Sequence, residues 1–93
     1  TLADDSPQKV SELVAACKKY LDGHEGVVYF SVGTLNQELA RPVNDRGYHV
    51  TINVVFDSKE SHDRYQIAPR HVQFIDEQKG NWKQVRVFDS DIA

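Results

Sequence analysis

Apolar residues recur along the first quarter of the chain at helical spacing. Val10, Leu13, Val14, Cys17, Tyr20 and Leu21 form a single stripe down one helix face. Ser6 is placed to cap this helix, and Pro7 suits its first position, where a missing N–H costs nothing. Lys18 and Lys19 favour the negative end of the helix dipole, Gly23 supplies a left-handed stop, and Gly26 marks a second turn. The period then changes to two. Val27 to Thr34 predicts a strand with Val28, Phe30 and Val32 on one face and Tyr29 and Ser31 on the other. Tyr48 to Phe56 alternates more strictly, with Tyr48, Val50, Ile52, Val54 and Phe56 set against His49, Thr51, Asn53 and Val55. The second of these faces is semi-polar but uncharged, which suits contact with protein rather than bulk water. Leu35 to Arg46 has no period and carries Pro42 and Asn44-Asp45, the mark of a long loop.

Beyond the second strand, Ser58 can cap a short helix reaching Tyr65. Pro69 then breaks the helical stretch. Proline disfavours α geometry at the residue before it, so Ala68 ends one helix and Pro69 opens the next, to about Lys79. Tyr65 lies before the break and His71 in the first turn after it, where the positive end of the dipole favours neutral imidazole. Gly80-Asn81 ends this helix, and Lys83 to Asp89 predicts a last strand around Val85, Val87 and Phe88.

The order is helix, strand, strand, helix, strand. A β-α-β crossover wants a strand before its first helix, and Thr1-Leu2 has the look of that strand's tail. The chain also lacks methionine, so residues upstream of Thr1 are expected in the native protein. With that strand restored, the fold class is α+β, a ferredoxin-like β-α-β-β-α-β unit with an antiparallel sheet and its helices on one face.

Composition narrows the function. Ninety-three residues fit one domain, residues 1–93, near the small end for a self-sufficient core. The net charge of −3 and scattered basic residues argue against a nucleic-acid partner. No apolar run approaches the roughly 20 residues of a membrane span, and no secretory leader is visible, so no membrane partner and a cytoplasmic location are expected. Cys17 is the single cysteine, which fits a reducing compartment, and its place on the apolar stripe makes it a buried, inert thiol. The four histidines have no metal-ligand spacing, His24 and His62 are expected to be exposed, and nothing resembles a phosphate loop or a Ser-His-Asp set. No cofactor is implied.

Four segments in order resemble the stress-responsive A/B barrel (Dabb) family. Gly26-Val27-Val28-Tyr29-Phe30-Ser31-Val32-Gly33 is similar to its second strand, and Gly47-Tyr48 with Val55-Phe56-Asp57 to its third. Tyr65 through His71 resembles its Tyr-x-x-His-Pro-x-His helix break, and Val85-Arg86-Val87-Phe88-Asp89 its closing strand. The resemblance implies a homodimer whose two sheets pack face to face, with Tyr29, Ser31, His49, Thr51 and Asn53 in the interface. A pocket for a small hydrophobic or aromatic ligand would then lie between sheet and helices, lined by Val50, Ile52, Val54, Phe56 and Phe74. In one branch, the plant polyketide cyclases, the Tyr and second His of the break drive an aldol ring closure. By position these are Tyr65 and His71. Two departures separate this chain from that branch: Ala68 replaces the first His of the break, and Val50 stands where the cyclases place a strand histidine.

For His71 two roles are open. It can act as general base with Tyr65 orienting a substrate oxygen, or it can pack against the preceding turn and bond a backbone carbonyl. Catalysis wants a second convergent donor, and the sequence supplies one pair. A homodimeric binding module is therefore the favoured reading, with a cofactor-free cyclase-like or monooxygenase-like enzyme as the alternative.

Overall fold

The computed structural model describes residues 1–92. Helix α1 spans Pro7–Tyr20, with the Ser6 hydroxyl accepting from the Lys9 amide at 3.4 Å. Its stripe buries Leu13, Cys17 and Tyr20. Gly23 and Gly26 both take positive φ, so the turn into the sheet uses the two residues that can do so without a Cβ penalty.

Strands β1 (Val27–Thr34) and β2 (Val50–Phe56) pair antiparallel. Phe30 faces Val54, Val32 faces Ile52 and Thr34 faces Val50 on one side of the sheet. Tyr29 with Val55, Ser31 with Asn53 and Gly33 with Thr51 share the other. The strict alternation expected of β1 fails at its start. A register shift lies between Val27 and Tyr29, leaving Val28 65% exposed instead of facing the helices. β2 begins at Val50, two residues later than the alternation suggested, because its partner β1 ends at Thr34, opposite Val50.

Ser58 caps α2 (Lys59–Ile67) by accepting from the Ser61 amide at 3.1 Å. Ala68 is extended, at φ −62° and ψ 136°, and Pro69 opens α3 (Pro69–Gln78). A 3-10 turn over Lys79–Asn81 closes the helical region. The core gathers Leu2, Leu13, Cys17, Tyr20, Leu21, Tyr65 and Phe74, with Val10, Phe30, Val32, Val50, Phe56, Ile75 and Trp82 packed around them. All three helices are thus drawn to one side of the sheet.

Thr1–Ala3 runs where the first strand of the split β-α-β pattern belongs. Leu2 bridges Trp82, the Ala3 amide donates to the Asn81 carbonyl at 3.0 Å, and the Lys83 amide donates to the Thr1 carbonyl at 2.9 Å. On the other flank the Thr1 hydroxyl donates to the Gly47 carbonyl at 3.0 Å. The predicted closing strand over Lys83 to Asp89 does not form. Its pairing ends with Gln84: the Lys83 and Gln84 amides reach the Thr1 carbonyl, whereas Val85 to Asp89 make no ladder bonds to hold them as a strand. Arg86 instead pairs with Asp45 and pins the long loop.

Candidate functional site

The proline break puts the two singled-out residues in contact. Tyr65 closes the last turn of α2, His71 sits in the first turn of α3, and their rings lie 4.5 Å apart at 53°. Tyr65 is only 7% exposed, and burial, with a smaller contribution from Cys17, pushes its phenol up to about 12. Two further rings meet it edge-on: Phe56 of β2 at 5.1 Å and His24 of the α1–β1 turn at 4.9 Å. Phe56 in turn takes the edge of His62 at 5.3 Å.

The sequence placed His24 and His62 in solvent. Both are half-buried at this cluster. His24 Nε2 lies 2.6 Å from the Tyr20 carbonyl, so that nitrogen carries the proton and caps α1. His62 Nδ1 faces Asp63 at 3.1 Å, and its Nε2 faces the Gln66 amide at 3.3 Å. His71 differs from both, since its Nδ1 is buried without a hydrogen-bond partner. Its pKa is lowered. Burial is the chief cause, the Gln66 carbonyl opposes it, and His24 and His62 add to the fall. The positive end of the α3 dipole acts in the same direction.

Of the pocket residues expected from the sequence, Phe56 is the one that meets the Tyr65 ring. Phe74 is deep in the core and tilts on Trp82 at 5.8 Å, Val50 packs at the core's edge, Val54 is half-buried, and Ile52 is 40% exposed. Two clefts lie elsewhere. One of about 430 Å³ is bordered by Thr1–Ala3, Asp5, Arg46–His49, Lys83 and Gln84, and one of about 110 Å³ by Leu2–Asp4, Lys9, Glu12, Gln78, Gly80 and Asn81. Neither borders Tyr65 or His71. No cluster of three His, Cys, Asp or Glu side chains could hold a metal among the described residues.

On the outer sheet face Tyr29 is exposed and Asn53 donates to the Ser31 hydroxyl at 3.3 Å, beside Thr51. His49 turns to the amino-terminal segment. Its Nδ1 accepts from the Leu2 amide at 2.9 Å, and its Nε2 lies 3.6 Å from the Asp5 carboxylate.

The family model for the stress responsive A/B barrel domain, Dabb, matches residues 1–92. The chain belongs to this family. Among solved structures, the Dabb chain is similar to a protein of Arabidopsis thaliana known from its crystal structure. The two share 22% identity with a TM-score of 0.72, over 100% of this chain and 91% of the other. That likeness establishes the fold. No curated protein matches this chain. No helix of this Dabb domain is long and apolar enough to cross a membrane among the described residues.

Proposed function

We propose that this A/B barrel domain is a homodimeric module that binds a small aromatic or apolar molecule carrying one polar group, at Tyr65 and His71. One observation carries the reading: His71 Nδ1 is buried without a hydrogen-bond partner, and its ring lies 4.5 Å from that of Tyr65. An unsatisfied buried group costs about 1–3 kcal/mol, which a ligand's donor or acceptor would offset. Phe56 and His24 meet Tyr65 edge-on and His62 meets Phe56, so an aromatic guest would reach Tyr65 and His71 by taking the place of one of these rings.

The test is a thermal-shift screen of phenolic, aromatic and polyketide-like compounds, followed by calorimetry on the wild type, Tyr65→Phe and His71→Ala. A ligand that stabilises the wild type and binds at least tenfold more weakly (roughly 1.4 kcal/mol) to either variant supports the assignment. Equal binding by all three proteins removes it. The enzyme reading draws on the same contact, because a neutral imidazole beside a phenol can accept a proton from a bound substrate. It requires turnover by the wild type that falls about 10²–10⁴-fold in His71→Ala, the usual scale of a general base.

A further inference from the structure

Two of the four histidines, His24 and His71, pack on one buried tyrosine, a third, His62, meets the Phe56 ring beside it, and the three come from different elements. His24 arrives from the α1–β1 turn, His62 from α2 and His71 from the first turn of α3. We propose that this cluster is an acid-operated joint: charging His71 separates the start of α3 from Tyr65 and opens the α2–α3 break.

The geometry supplies both the trigger and the hinge. In the closed state His71 Nδ1 is buried and makes no hydrogen bond, and the Gln66 carbonyl offsets only part of the cost of charging the ring there. The charged and titratable groups around it come from every packed element. From α1 there is Cys17, whose buried thiol is pushed up to about 11, and Tyr20, whose carbonyl is occupied by His24. From the turn there are His24 and its neighbour Glu25. From the end of β2, Asp57 is committed to Ser58 and Ser61. From α2, Asp63 is shared by Lys59 and His62, and Arg64 donates to Ser61 at 2.9 Å. From α3, Arg70 is held by the Lys19 and Asp22 carbonyls. Asp57 and Asp63 are therefore already bonded to other side chains, while two imidazoles act on the site. The hinge is Ala68, extended between two helices, whose joint rests on short-range backbone bonds from Ala68 to Tyr65 and from Val72 to Ala68.

The sign follows from linkage. The closed joint holds His71 below its ordinary value of 6.5, whereas in the open joint the ring meets water and titrates normally. Closure is therefore fully stable above about pH 6.5 and weakens as pH falls below it, levelling off under the closed-state value. Each unit of depression changes the opening equilibrium about tenfold.

Amide hydrogen exchange at Ala68 and Val72, corrected for intrinsic rates, reads the joint directly between pH 7.5 and about 5. The expected result is an opening equilibrium that rises with acid in the wild type, while amides of Leu13 and Cys17 in mid-α1 change little. His71→Phe keeps a ring against Tyr65 and cannot titrate, so its joint should lose the acid response. Should that variant not fold, His24→Gln carries the test. Gln can still donate to the Tyr20 carbonyl, but it removes one imidazole that lowers His71, and the acid response should shrink. An acid response equal in wild type and the folded variants, or absent from the wild type, overturns the proposal.

Discussion

A single methyl group would distinguish the two glycines between α1 and β1. Gly23 has φ +76° and open space around it, so Gly23→Ala should cost about 1 kcal/mol for the left-handed backbone alone. Gly26 has φ +82°, and a Cβ there would overlap the Ser61 Oγ and Cβ. Ser61 is fully buried and joins Asp57 to Arg64, so the overlap cannot be relieved without breaking that chain of bonds. Gly26→Ala should therefore cost about 3 kcal/mol or more, with denaturant titration separating the two variants. Tyr65 yields a prediction in alkali. Its ordinary value of 10.0 rises to about 12 in the fold, so the stability due to the protonated phenol is intact below pH 10 and lost as pH climbs toward 12. Cys17, raised from 9.0 to about 11, adds a fall of the same sign beginning one unit earlier. Tyr65→Phe should lessen the loss between pH 10 and 11.5 in unfolding free energy and leave the Cys17 part in place.

Among the elements, α3 packs on α1 in the core and is also hydrogen-bonded to its end by Arg70. The Arg70 guanidinium donates to the Lys19 carbonyl at 2.7 Å and the Asp22 carbonyl at 3.0 Å, satisfying groups that the end of α1 leaves open. Arg70→Ala should lower the urea midpoint by an amount equivalent to about 1 kcal/mol with an unchanged m-value, and Arg70→Lys should recover only part of it. The helices and their ends were legible because their signals are local: Ser6 and Pro7, Ser58, and the Ala68-Pro69 break all act within a few residues. What depends on pairing was not legible. The bulge at Val28 arises from how β1 meets β2, and no residue in β1 announces it. Val85 to Asp89 has strand composition but makes no ladder bonds. The Tyr65–His71 contact followed from the break itself, whereas His24 and His62 reach the cluster through space. One signal was present for each: His62 is three residues before Tyr65 and shares its helix face, and His24 is four residues after Tyr20.

At the scale of the whole molecule, the two-stranded sheet leaves its outer face to Tyr29, Ser31, Thr51 and Asn53, and the carboxy-terminal segment exposes Val85, Val87 and Phe88. Homodimer formation, as proposed above, would cover this face. Light scattering at micromolar concentration should then give about twice the 10.6 kDa chain mass, and Asn53→Lys should shift the protein toward monomer by burying a charge in the interface. A monomer throughout that range would remove the dimer from the functional reading.

Cys17 turns the core into its own clock. It is the one thiol in the chain, wholly enclosed under α1, and no alkylating reagent can touch it while the helices stay seated. Each covalent label therefore records one excursion of an individual molecule through a state in which the middle of the protein is laid open. Where reclosing outpaces labelling, the rate of label uptake weighs the population of that state. Where labelling is faster, it times the excursions themselves. A mass spectrum taken at intervals from an undisturbed sample would thus give the stability of the fold with no denaturant and no engineered probe.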